Sequence, residues 1–140
     1  MPRKKTFIGN QYNGTKLCDT PREFSYDYIR AIDGVITTMT ERHSKVLVVR
    51  LDLRYPKDHN ADNSNRDFSG TLQGVCREFS RKKYDPQYVA RREQVTSENQ
   101  HYHVGILLDG NKKRSPEAVR QTVEKHWANQ LDIPLEEGQQ

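Results

Sequence analysis

The chain has 140 residues, which suits one domain around a modest core. Hydrophobic residues make up 33%, charged residues 30%, and mean hydropathy is −1.01, which points to disordered ends and a small core rather than a large enzyme body; four Phe, seven Tyr and one Trp argue against wholesale disorder. A net charge of +4 and a pI of about 9.1 favour polyanionic partners, because each phosphate neutralised releases counterions.

Residues 1–19 are polar and turn-rich, with Gly9-Asn10 and Asn13-Gly14, and read as a flexible basic arm. Thr20-Pro21-Arg22-Glu23 forms a capping box with proline at the first helical position. Phe24, Tyr28, Ile32, Val35, Ile36 and Met39 continue it as one apolar helical stripe to about Arg42. Residues 45–55 alternate Leu51 and Leu53 with Arg50, Asp52 and Arg54 after a continuous apolar start, which predicts a central strand buried on both faces. Pro56 ends it, and residues 57–67 have loop chemistry throughout. A second helix is expected over residues 68–83, with Phe68, Leu72, Val75, Cys76 and Phe79 on one side. Residues 88–94 and 101–108 are strand candidates joined by a polar turn. Ser115-Pro116-Glu117 starts a last helix carrying Val119, Val123, Trp127 and Leu131; Pro134 ends it before a tail over residues 136–140.

Cys18 and Cys76 lack metal or redox spacing and read as reduced thiols. No apolar run approaches the roughly 18 residues of a membrane span, and the basic start leads into no signal core, so a soluble, cytoplasmic protein is expected. The order α-β-α-β-β-α contains five of the six elements of a split βαβ sheet. The fold class expected is therefore α+β, ferredoxin-like, with an extra N-terminal helix, its helices packed on one face of an antiparallel sheet. A single domain over residues 20–135 would hold it, with the closing strand of the sheet missing.

The strongest chemical signal is His101-Tyr102-His103. Alternate residues of a strand share a face, so the two imidazoles project side by side with Cα atoms about 7 Å apart, near enough to converge on one ion. Such nitrogens suit Mn, Zn, Co or Ni, and Mg where oxygen ligands complete the sphere. Glu93, across the hairpin, completes a triad if it pairs with His101 or His103, whereas a slip of one residue sends it to the other face. Glu98 in the turn and Asp52 on the first strand compete with it; Glu93 is preferred. His43, His59 and His126 have no spaced partner and receive no role. Gly105 marks a bulge or a close backbone approach.

The strand His101-Tyr102-His103-Val104, followed by Gly-Ile-Leu-Leu-Asp-Gly-Asn, resembles the HUH strand of replication-initiation proteins of filamentous-phage type, and in particular the prophage group of YagK/YfjJ C-terminal domains. Residues 47–56 are similar to the first strand of that group, Arg92-Glu93-Gln94 to the segment before the HUH strand, and His126-Trp127-Ala128-Asn129-Gln130-Leu131 to its next helix. The likeness spans roughly residues 25–135. It implies an HUH endonuclease that binds a divalent cation (Mn or Mg) and nicks single-stranded or hairpin DNA to start rolling-circle replication, through a 5′-phosphotyrosine link and a free 3′-OH.

The chain departs from that pattern in two respects: no tyrosine follows Tyr102, where the family places its nucleophile, and the last strand of the sheet is lacking. Three options stay open: a tyrosine outside this sequence, binding without cleavage, or a permuted arrangement with an N-terminal tyrosine. In the last, Tyr26 is the candidate, since Tyr28 belongs to the apolar stripe. Arg50, Arg54 and Arg91 are the expected phosphate contacts, and Tyr55 and Tyr88 are set to stack on unpaired bases or pack against a helix. An RNA-binding ferredoxin-like sheet is the rival from another class, but the chain lacks the aromatic strand such sheets use.

Overall fold

The computed structural model describes residues 5–17, 20–94 and 98–135. Cys18, the tail and part of the polar turn before His101 lie outside the described residues. The elements in chain order are β1 (Thr6–Gly9), β2 (Gln11–Tyr12), β3 (Thr15–Lys16), β4 (Arg22–Ser25), α1 (Tyr26–Arg42), β5 (Val46–Leu53), α2 (Arg66–Arg81), β6 (Gln87–Glu93), β7 (His101–Asp109) and α3 (Pro116–Leu131). The architecture is α+β and compatible with a split βαβ unit: β5 and β6 are both antiparallel to β7, which lies between them, and α2 makes the crossover. No described helix is long and apolar enough to cross a membrane.

Four expectations are corrected. The first helix does not begin at the capping box. Residues 22–25 form β4, which pairs with β1 in the register Phe7↔Phe24, and the two rings lie 5.5 Å apart. This cross-strand pairing outweighs the local helix signal, so α1 starts five residues later, where the Ser25 hydroxyl accepts from the Tyr28 N–H at 3.4 Å. The N-terminal segment, expected as an arm, is paired across residues 6–16. Asn13 and Gly14, with φ of 48° and 79°, make the two-residue turn between β2 and β3.

The third correction concerns the strand expected at the centre. β5 is an edge strand and β7 is central. The apolar run that suggested burial on both faces is covered on only one, and Val48 is 57% exposed. The fourth concerns the helices, which lie on both faces. Val49, Leu53, Tyr102, Val104, Ile106 and Leu108 point to the side packed by α2 and α3, with Trp127 fully buried among them. Its indole N–H donates to the Arg54 carbonyl at 2.9 Å. Helix α1 packs on the opposite side, against β6 and β7, where Met39 and Leu107 are buried outside that core.

Two local devices hold this frame. His43, at the end of α1, lies 2.7 Å from Asp85 and 3.3 Å from Asp109, tying the helix to the α2–β6 connection and the end of β7. Helices α2 and α3 approach closely at Gly74, where an added Cβ would come within 2.8 Å of the His126 ring, and His126 bonds Glu78 of α2 at 2.9 Å. On the face that α1 packs, the side chains of β7 between Gly105 and the strand's start are those of His103 and His101.

Candidate metal centre

On the α1 side of the sheet, parity and register gather four side chains. Glu93 of β6 pairs with His101 of β7, and Asp52 of β5 pairs with His103, so all four project from one face. Glu93 Oε2 lies 2.6 Å from His103 Nε2 and 3.5 Å from His101 Nε2. Asp52 Oδ1 lies 2.8 Å from His103 Nδ1. The imidazoles stand edge to face, 5.2 Å apart at their centroids. His101 is buried, His103 half-buried and Glu93 exposed, so the cluster opens to solvent on the Glu93 side.

Charge follows this geometry. The hydrogen bond that the Glu93 carboxylate accepts, reinforced by Asp52 and opposed by burial, raises the His103 pKa above its ordinary value. The reciprocal bond from His103 lowers that of Glu93, with further help from the charges of His101, His103 and Arg91. His103 is thus bonded at both ring nitrogens, and each contact has a distinct consequence. With Nδ1–H donated to Asp52, the Nε2 lone pair is directed to the side where Glu93 and His101 Nε2 meet. A cation bound at Nε2 would replace this contact with Glu93 Oε2 by a bond to each of the two atoms.

One donor atom from each of Glu93, His101 and His103 lies within 4.8 Å of the other two. With metal–ligand bonds of about 2.0–2.2 Å, small rotamer shifts suffice to close such a set around one ion. Two neutral nitrogens and one carboxylate suit borderline divalent cations such as Mn, with room for waters or phosphate oxygens. The register that joins Glu93 to His101 is the one on which the preference for Glu93 depended. Asp52, weighed as a competing ligand, contacts the far nitrogen of His103 instead.

The other expected site residues divide by face. Arg50 and Arg91 project beside the cluster, Arg91 directly opposite His103 in the register. Arg54, just past β5, borders a cavity that reaches His101. Tyr55 does not present its ring for base stacking. It is 7% exposed, tilts against Trp127, and donates its hydroxyl to Asp67 at 2.9 Å; burial, then Asp67, push its phenol pKa far up. Tyr88 is partly exposed but pairs with Ile106 on the α2 side, meeting Phe68 edge-on, so it does not join the histidines. Tyr26 is exposed at the start of α1 and packs its ring on Phe7 at 4.7 Å.

A second layer of order was hidden in the loop between β5 and α2. Gln100, buried just before β7, donates to the carbonyls of Asp62 and Ser64 at 2.8 and 3.1 Å, and Asn99 donates to that of His59 at 2.6 Å. Arg92 holds Asn63 and Asn65, and Tyr102 donates its hydroxyl to Asn65. The loop is therefore fixed against the strand that carries His101. Only the amides at residues 99 and 100 hinted at it.

Residues 8–140 match the YagK/YfjJ C-terminal domain family. The chain belongs to that family. No curated protein and no solved structure matches it. In this YagK/YfjJ C-terminal domain, the His-x-His strand, the preceding glutamate and the paired aspartate of β5 form one polar corner of the sheet.

Proposed function

We propose that this YagK/YfjJ C-terminal domain is an HUH-type module that binds a divalent cation and acts on single-stranded or hairpin DNA, in the manner of enzymes that start rolling-circle replication. The observation that carries this reading is the convergence of Glu93, His101 and His103 on one open sheet face. These residues would hold the ion, with Asp52 fixing the ring orientation of His103. When bound, a divalent cation there would polarise the scissile phosphate and stabilise the charge growing on its oxygens. Arg50 and Arg91, projecting from strands on either side of β7, are positioned to neutralise neighbouring phosphates and orient the strand across the imidazoles. The attacking group in this reading is a tyrosine hydroxyl, and Tyr26 is the exposed candidate in the described chain.

A second reading, binding without cleavage, is favoured by one observation. Tyr55 and Tyr102 have their hydroxyls committed on the α2 side, and the ring contact of Tyr26 is with Phe7. Incubation with labelled single-stranded DNA and Mn²⁺, followed by a denaturing gel, decides between them. A nick or covalent adduct that is lost in Tyr26→Phe and in His101→Ala establishes chemistry by this chain. Retention of DNA without either product establishes the binding reading. Absence of both binding and products would refute the DNA assignment.

A further inference from the structure

The cavity bordered by Arg54 has a volume of about 570 Å³, within the roughly 300–1,000 Å³ range of small-ligand pockets. One wall is the loop after β5, with Arg54, Lys57 and His59; the other is the approach to β7, with Glu98, Asn99, Gln100 and His101. Because Asn99 and Gln100 hold the loop backbone, the two walls are tied together before any ligand arrives. The cavity also shares His101 with the metal centre. The cavity therefore adjoins the metal centre.

The lining specifies a chemical class. Neither the Arg54 guanidinium nor the Lys57 ammonium has an ionic or hydrogen-bond partner among the described residues, so two positive charges stand free at the wall. His59 already stacks on Tyr55, with centroids 5.0 Å apart and planes 22° from parallel. An imidazole stacked on one side keeps one π-face for another ring. Glu98 adds a carboxylate, which accepts from exocyclic amino groups. Free cations call for an anion, the ring stack for a planar ring, and the volume exceeds what a lone phosphate fills.

We propose that this cavity seats one nucleotide of the strand acted on at the metal centre. Arg54 and Lys57 hold its phosphate, its base stacks on His59, and bases bearing an amino group are preferred over thymine at Glu98. The proposal rests on the reading of the neighbouring site as a single-strand DNA module. It also assigns part of the sequence preference to a loop outside the metal-binding strands.

The test is a titration of the full ¹⁵N-labelled chain with dCMP, dTMP and inorganic phosphate, read by amide shifts, with Mn²⁺ added in a separate arm. Saturable shifts with dCMP are expected at residues 57–61 and 99–101, weaker with dTMP, and absent at His59 with phosphate. His59→Ala should weaken dCMP at least tenfold, and His59→Phe, which keeps a ring there, should restore it. Equal shifts with phosphate and dCMP would reduce the cavity to an anion site and overturn the proposal. So would dCMP binding elsewhere, or an unchanged affinity in a folded His59→Ala. Broadening of His101 and His103 by Mn²⁺ reports the metal separately. Broadening without nucleotide shifts defeats the pocket alone, whereas nucleotide binding without broadening defeats the metal reading and leaves the pocket standing.

Discussion

On the side of the sheet that meets α2 and α3, Val49, Leu53, Val104 and Ile106 close around Trp127. On the other side the same three strands carry Asp52, Glu93, His101 and His103 in one connected cluster, with Asp52 and Glu93 exposed and His101 buried. Neighbouring residues of β7 thus serve opposite ends: Tyr102 and Val104 are core, and His101 and His103 are chemistry. Strand parity alone makes this division, so damage to one face should leave the other's property largely intact.

The largest effect expected is on the packed face. Trp127→Ala removes a fully buried indole and its bond to the Arg54 carbonyl, and should cost about 3–5 kcal/mol in denaturant unfolding. A loss under about 1 kcal/mol would show that this face is not the principal core. On the open face, Asp52→Ala should leave the unfolding midpoint nearly unchanged while weakening Mn²⁺ binding by about 10–100-fold, as loss of an orienting partner does. An unaltered Mn²⁺ affinity would mean that the contact at Nδ1 does not orient His103.

The comparison also explains what could be read from sequence. The two-residue period of β7 and the hairpin with β6 are local properties, so the His101, His103 and Glu93 constellation was legible from spacing. The order of strands was not. Val46-Leu47-Val48-Val49 looks the same whether one face or both are covered, and only tertiary packing leaves Val48 in solvent. Likewise Thr20-Pro21-Arg22-Glu23 is a sound helix start by itself, but pairing with β1 draws residues 22–25 into a strand. The role of Asp52 depended on β5 lying next to β7, and the burial of Tyr55 depended on α3 arriving over the end of β5. Both are long-range facts that no window of sequence contains.

The smallest effect expected is on pH dependence, again confined to the helical face. His126 holds the Glu78 carboxyl below its ordinary value of 4.5, with desolvation opposing and Lys82 adding to the shift. A carboxylate depressed in the folded state contributes stability above its unfolded pKa and loses it as pH falls through the folded one. Glu78→Gln should therefore flatten the acid limb of stability below about pH 5 and leave Mn²⁺ affinity at neutral pH unaltered. A parallel fall in Mn²⁺ affinity would show that the two faces are coupled.

The measurement that bears most directly on the account is calorimetric titration of the chain with Mn²⁺ at neutral pH, beside His101→Ala/His103→Ala and Glu93→Gln. The account predicts one saturable site, abolished in the double variant and weakened at least tenfold by Glu93→Gln, while all three proteins unfold with similar cooperativity. Equal Mn²⁺ binding by the double variant and the parent chain, or none by either, would contradict it.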